Sequence, residues 1–231
     1  MEKLSRQEAI ARARRAASLA GCDFSGVDLG GLDLIAVDFR GSRFEGARLT
    51  KANLSASRFD QADLAGCRLD SANFTGASFR GARLAGADLS HSTLIGADLS
   101  GAALAGADFS SANLAGAIFD GADLSGAVLQ MSDAAKASFA GARLEGANLR
   151  ATNLTAARLG GADLRRANLN GADFAAADVS GADLRGAFIG ETRFTAGDLT
   201  GADGRGASFG RADLERARTE GARFGPSDAA G

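Results

Sequence analysis

Every fifth residue from Leu19 to Phe224 is apolar, with almost no lapse. That register holds 42 positions; Leu or Phe fills 37 of them, and Ala134, Val179, Ile189, Gly204 and Thr219 fill the rest. No insertion or deletion shifts its phase. A period of five is neither the 3.6 of a helix nor the 2 of a plain strand. It marks a repeat architecture and one continuous body, in which each unit buries its apolar side against its neighbours.

The other positions of the repeat have equally narrow chemistry. Two residues before the Leu or Phe, here called the centre, 39 of 42 repeats carry Ala, Ser, Thr, Cys or Gly; Val27, Leu32 and Val37 are the exceptions. The residue just before the centre is usually Asp, Arg or Asn, and the second residue after it is Gly in 24 of 42 repeats. This reads as small-in, polar-out, large-in, then a two-residue corner. In and out alternate as on a strand, and Gly suits a corner that needs positive φ. Four such segments close a square coil of 20 residues, stacked on the next at a strand spacing of about 4.8 Å. Burying each Leu or Phe contributes roughly 1.5–3 kcal/mol gross, most of it offset by chain entropy.

Clean copies of the unit are Ala97-Asp98-Leu99-Ser100-Gly101, Ala122-Asp123-Leu124-Ser125-Gly126 and Ala182-Asp183-Leu184-Arg185-Gly186. They resemble the pentapeptide-repeat family, A(D/N)LXX, over about nine-tenths of the chain. The fold class expected is an all-β solenoid. The resemblance implies a right-handed quadrilateral β-helix, of about ten coils by the register, with a short N-terminal capping helix. The expected division is 1–16 for the cap, 17–226 for the β-helix and 227–231 for a disordered tail. Ser5 with Glu8 fits a capping box, so a helix is expected from Ser5 to Ala16 or Ala17, covering the exposed edge of the first coil.

The 20-residue step sorts residues onto four walls. Phe39, Phe59 and Phe79 fall on one, with Phe119 and Phe139 further along, as a stacked interior ladder. Asp23, Arg43, Asp63 and Arg83 alternate charge on another, and Asn53, Asn73, Asn113 and Asn153 are candidates for amide ladders on a third. Two weak places are expected. Ala134 underfills the core in the middle, predicting a local dent or bend. Gly204 and Thr219 weaken the last two coils, predicting either fraying or a homodimer through the C-terminal coil.

Convergent chemistry is not legible. The single histidine, His91, falls at a corner, without the Cys or acid cluster of a metal site. Cys22 and Cys67 fall at small inward positions, on neighbouring walls about two coils or roughly 10 Å apart by strand spacing. That is too far for a disulfide, so both are expected as buried thiols. Neither a P-loop nor a dinucleotide fingerprint occurs, and no catalytic, cofactor-binding or metal residue is assigned. A net charge of −2 gives no support to direct nucleic-acid binding. No run approaches the ~20 apolar residues of a membrane helix, and the charged start lacks a signal-like stretch; a cytoplasmic protein follows as the expectation.

Lapses of the outward pattern supply the candidate contact residues. Ile118, Val128 and Phe188 replace the polar residue before the centre, and Ile35, Ile95 and Met131 stand at outward corners. Of these, Ile118, Val128, Met131 and Phe188 are taken as candidate protein contacts. The function expected is a non-enzymatic interaction scaffold or adaptor. The start of the chain, Leu4 to Ala9 followed by Ser18 to Gly26, resembles pentapeptide segments of type VI secretion accessory proteins, which implies a secretion component or effector as partner. The alternative implied by the family is a DNA mimic that binds DNA gyrase and gives quinolone or toxin resistance. Against it, 17 Asp and 10 Arg are interspersed at the position before the centre, and the family's C-terminal dimerising helix and projecting loops have no counterpart here.

Overall fold

The computed structural model describes residues 1–15 and 18–225; the expected helix end at Ala16 or Ala17 and the tail from 226 lie outside them. The five-residue unit folds as a strand-like wall and a turn. The centre carbonyl accepts the N–H three residues on, as from Ala47 to Phe44 at 2.8 Å. The second corner residue takes positive φ, as Gly46 does at 66°. That is the geometry of a type II turn, which explains the glycine preference. Met131 and His91 adopt the same region at 57°, where a side chain costs roughly 1–2 kcal/mol.

Each wall pairs in parallel with the wall twenty residues on, beginning with Asp23↔Arg43, Asp28↔Arg48, Asp33↔Asn53 and Asp38↔Arg58. The result is a repeat β-helix with four faces. Face A carries Asp38 and Ile118, face B Asp23 and Asp183, face C Asp28 and Phe188, and face D Asp33 and Asp173. The expected three-residue strands shrink to one bridged residue per wall, because turns bend the chain away on both sides. Two-residue strands occur only at the ends among the described residues: β1 (Glu2–Lys3) beside β2 (Cys22–Asp23), and β3 (Asp203–Gly204) beside β4 (Arg223–Phe224).

The centre residues form the core, sealed from water from Leu19 through Leu199. The Phe ladder stacks as expected, with Phe39–Phe59 at 5.0 Å, Phe59–Phe79 at 4.9 Å and Phe119–Phe139 at 4.8 Å between ring centroids. At the small position, buried hydroxyls serve the backbone. Ser57 Oγ accepts Val37 N–H at 3.0 Å and donates to Leu34 O at 2.8 Å, inserting itself into the turn of the coil before. Thr152 and Thr192 donate to Leu129 O and Leu169 O at 2.7 Å.

Four expectations change. Residues 2–4 are not part of a helical cap: Leu4 stands twenty residues before Phe24, is buried, and donates its N–H to Asp23 O at 2.9 Å. They form the first wall, and the helix α1 (Arg6–Arg14) follows with the expected Ser5–Glu8 capping box. Ala134 causes no bend, since the bridges Asn113↔Asp133 and Asp133↔Asn153 run on and Ala134 N–H reaches Asn153 O at 2.7 Å. Gly204 is not a hole: a Cβ there would come within 2.9 Å of Phe224 and 3.0 Å of Phe209, whose rings occupy the space. The weakening is confined to the final coil, where Leu214 and Phe224 are half-buried and Thr219 is exposed.

Arg6 manages the first edge. Its guanidinium donates to Asp28 O and, at 3.2 Å, to Gly30 O, carbonyls with no coil beneath them. Arg6 thus caps the edge, and Arg12 on the same helix pairs with Glu2.

Candidate functional site

Three of the four candidate contact residues fall on or beside one face, without touching one another. Val128 and Phe188 lie in one column of face C, three coils or about 14 Å apart by strand spacing. Met131 sits at the corner from face C to face D. Ile118 stands on face A, the opposite side of the rod. Phe188 and Met131 are well exposed, at 54% and 58%, and Ile118 less so at 36%. Val128 is half-buried rather than exposed; its short branched side chain lies low between Asp108 and Asn148 in the column.

Face C changes character along its length. Its outward column runs Asp28, Arg48, Arg68, Asp88, Asp108, and then Val128, Asn148, Asn168, Phe188, Ser208. Five consecutive coils carry charge on this face and the next five carry none. The corners bordering the uncharged stretch are rich in arginine. On the face B side stand Arg165, Arg166, Arg185 and Arg205 with Glu145; on the face D side stand Arg150 and Arg211 with Glu191.

The face B arginines are held in one repeated geometry. Arg185 Nε donates to Asp183 Oδ1 at 2.8 Å and Nη2 to Oδ2 at 2.6 Å. Arg205 grips Asp203 likewise at 2.9 and 2.7 Å, and Arg165 grips Asp163 at 2.8 and 2.7 Å. Hydrogen bonding to the fork holds Asp163 and Asp183 below the usual carboxylate range, and Asp203 at about 2. The same Asp accepts the backbone N–H of its arginine through Oδ1, as from Arg185 at 3.1 Å. That local Asx turn recurs around the rod and explains why Asp precedes so many centres. No acceptor among the described residues takes the Nη1 edge of Arg165, Arg185 or Arg205. The fork therefore fixes three guanidiniums, one coil apart, with a free donor edge at the corner.

The opposite corner is locally irregular. At the second corner position every described residue from Gly21 to Gly221 has φ between 55° and 71° except Glu191 and Arg211. Ala151 N–H still donates to Asn170 O at 3.0 Å, but Gly171 N–H and Glu191 N–H find no acceptor among the described residues, and Arg211 N–H takes Gly190 O at 2.6 Å. With Gly171, Gly190 and Gly210 supplying no side chains, the corner opens into a hollow of about 610 Å³ lined by Arg150 and Arg211. A second hollow of about 340 Å³ lies at the arginine column. Phe188 stands between the two.

Elsewhere the polar groups serve the scaffold. His91 is an exposed corner residue. Cys22 and Cys67 are buried and free, and burial pushes the Cys67 thiol up to about 12. Cys67 takes the place of the buried hydroxyls, its Sγ lying 2.8 Å from Phe44 O. Charge alternation on face B yields cross-coil pairs between Arg83 and Asp63 at 3.8 Å and Arg143 and Asp123 at 3.4 Å; Arg165 takes Asp163 instead. The amide ladder is short, with Asn73 donating to Asn53 at 3.3 Å and Asn153 to Asp133 at 2.8 Å. Among the described residues no cluster of His, Cys, Asp and Glu can hold a metal ion, and no helix is long and apolar enough to cross a membrane. Sequence reasoning missed the arginine column because it sorted only the residue before the centre onto walls. Applying the same 20-residue step to the first corner residue aligns Arg165, Arg185 and Arg205.

Comparison with known proteins agrees with this geometry. The family described as pentapeptide repeats matches residues 92–130, 135–171, 152–188 and 190–224, and the pentapeptide repeat region matches 17–94. HetL, a pentapeptide repeat protein involved in heterocyst differentiation regulation from the cyanobacterium Nostoc sp. strain PCC 7120, has a TM-score of 0.89 at 30% identity, over 93% of this chain and 96% of that one. QnrB1, a plasmid-mediated fluoroquinolone resistance protein, has a TM-score of 0.59 at 19% identity, over 86% and 93%; at that identity the likeness concerns the fold alone. No curated protein matches.

Proposed function

We propose that this chain, which belongs to the pentapeptide-repeat family, is a non-enzymatic protein-interaction rod whose contact surface is the C-terminal half of face C. The observation that carries the reading is Phe188: a large ring, 54% exposed, on a face whose outward column is uncharged for five coils, between two hollows. Large aromatic residues dominate contact energies when a partner desolvates them. Full-length likeness to HetL supports a regulatory adaptor, and the start of the chain supports a secretion component or effector as its partner. The register over Leu19–Phe224 supports about ten coils; family membership supports the right-handed sense.

Replacing Phe188 by Asp keeps the backbone and removes the anchor. Partner affinity should fall by roughly 30-fold or more, the scale of a hot-spot loss, while the thermal midpoint stays put. Unchanged affinity in a folded variant rejects this face. The gyrase reading has fold-level likeness to QnrB1 in its favour. Against it, many aspartates fold back onto turn N–H groups and arginine forks rather than presenting a continuous acidic surface. A supercoiling assay with and without a quinolone separates the two readings. An end-to-end homodimer through the last coil is part of the proposal, motivated by half-buried Leu214 and Phe224 beside exposed Thr219. Light scattering should show a mass that rises with concentration towards twice the monomer; a constant monomer mass removes the dimer.

A further inference from the structure

We infer that the partner segment received by face C is an amphipathic α-helix lying along the rod axis, with an apolar stripe on Phe188 and a flank of carboxylates facing Arg165, Arg185 and Arg205. The inference rests on the reading that face C is the contact surface, and adds the chemistry of what docks there.

Three observations lead to a helix. First, the wall has no backbone groups to offer. Asn168 N–H goes to Ala147 O and Leu169 N–H to Phe188 O, and Phe188 N–H goes to Ala167 O, all within the rod. An extended peptide on this face would gain no ladder and leave its own N–H and C=O unpaired, whereas a helix satisfies them internally. Second, the spacing fits. The three arginines recur at the coil step, so the column spans about 9.6 Å by strand spacing. Two helix turns advance about 10.8 Å, while two same-side steps of an extended chain advance about 13.4 Å. The helix misses by about 1 Å, which arginine side chains absorb, and the extended chain by nearly 4 Å. Third, a wall of three residues is about 10 Å wide, close to the 10–12 Å diameter of a helix with its side chains.

The charge sign follows from the corners. Around the uncharged stretch, six arginines face two glutamates, Glu145 and Glu191. The aspartates that hold three of the arginines lie round the corner on face B and leave the Nη1 edges free. Carboxylates at helix positions three or four apart meet successive edges, each bond charge-assisted. The fork has already ordered each guanidinium, so less side-chain freedom is lost on docking. The hollow beyond Phe188, floored by Gly171, Gly190 and Gly210, leaves room for the helix's other flank.

The test uses two labelled 18-residue peptides of high helix propensity. They share a leucine stripe, and one flank carries Glu in the first peptide and Lys in the second. Binding to the full chain is read by fluorescence anisotropy at low and high salt. The Glu peptide should bind at least tenfold more tightly than the Lys peptide, with a preference that shrinks in salt. Arg166→Glu is the mildest reversal, because that guanidinium is 80% exposed and only 3.9 Å from Glu145. It should weaken the Glu peptide by about tenfold and strengthen the Lys peptide. Arg185→Gln should weaken the Glu peptide less, and circular dichroism checks both folds. If Phe188→Asp abolishes binding but both peptides bind equally, face C stands and the acidic helix falls. If the Glu peptide binds and ignores both Phe188→Asp and Arg166→Glu, face C falls too. If neither peptide binds the wild-type chain, the helix is rejected, and the effect of Phe188→Asp on the native partner decides the face separately.

Discussion

Along face C, the coils from Asp28 to Asp108 and those from Val128 to Ser208 share one backbone ladder, with a bridge every twenty residues and centre side chains sealed from water. Outside, they part. In the first half Asp and Arg occupy the outward column, and the adjoining corners carry mostly small or uncharged residues such as Ala65, Ala85, Ser90 and Ser110. In the second half the charges leave the wall and gather at the corners. Walls whose N–H and C=O groups pair within the rod leave the outward side chains free to differ without altering the ladder. The difference between the halves is therefore one of surface, on which the proposed contact rests, and the likeness is one of backbone and core.

The comparison breaks if the interiors differ as the surfaces do. Cys67 and Ala167 occupy the same small-position column, five coils apart, and both are buried. In a Cys22→Ala background, Cys67 should be alkylated about a thousandfold or more slowly than in the unfolded chain, since burial hides the thiol and raises its pKa to about 12. The double substitution Cys67→Ala with Ala167→Cys should show comparable protection. Fast labelling at 167 alone would mean that the second half opens by itself, and Phe188 would then belong to a mobile region rather than a rigid surface.

The outer difference is sharpened by a mirror of the Phe188→Asp experiment. Asp108→Ala and Arg68→Ala, in the same column of the first half, should each change partner affinity less than about twofold, the usual effect of a residue outside the contact. A loss equal to that of Phe188→Asp would spread the contact over the whole face.

Much of this rod was legible because a five-residue period leaves few closures. The stacked rings of Phe39, Phe59 and Phe79, the capping box at Ser5 and the buried thiols all follow from position alone. The misses share a cause: they depend on what neighbouring coils supply. Leu4 lies in phase with Phe24, but the helical stretch between hides the phase. Gly204 reads as a gap until Phe209 and Phe224 are seen to fill it. The candidate surface was half legible. Phe188 broke the outward pattern visibly, whereas the arginines beside it occupy a position where the repeat tolerates almost anything. Only their alignment across coils gives them meaning.

Inside, the halves use the same hydroxyl device at different stakes. Ser57 Oγ both accepts from Val37 N–H and donates to Leu34 O. Ser57→Ala leaves that buried N–H without a partner and should cost about 1–3 kcal/mol. Thr192 only donates to Leu169 O, which also accepts Ala172 N–H at 2.9 Å. Thr192→Val keeps the shape and should cost less than about 1 kcal/mol. Denaturant midpoints at constant m-value measure both. Equal costs would show that the inserted turn of the first half contributes no more than the simple bond of the second.

The smallest effect is a titration. The arginine fork is a feature of both halves: Arg40 grips Asp38 as Arg205 grips Asp203, and each carboxylate is held at about 2. A depressed carboxylate contributes stability above its unfolded pKa and loses that contribution as pH falls through the folded value. The forks should therefore stay intact at pH 4 and release between roughly pH 4 and pH 2. Carboxyl carbon shifts of Asp203 in NMR should titrate near the lower limit, and Arg205→Lys, which cannot fork, should move the midpoint upward. Glu-peptide binding should fall off at higher pH than fork release, because the peptide's own carboxylates protonate near 4.3. Coincident losses near pH 2 would mean that the fork, rather than the free edge of the guanidinium, carries the contact.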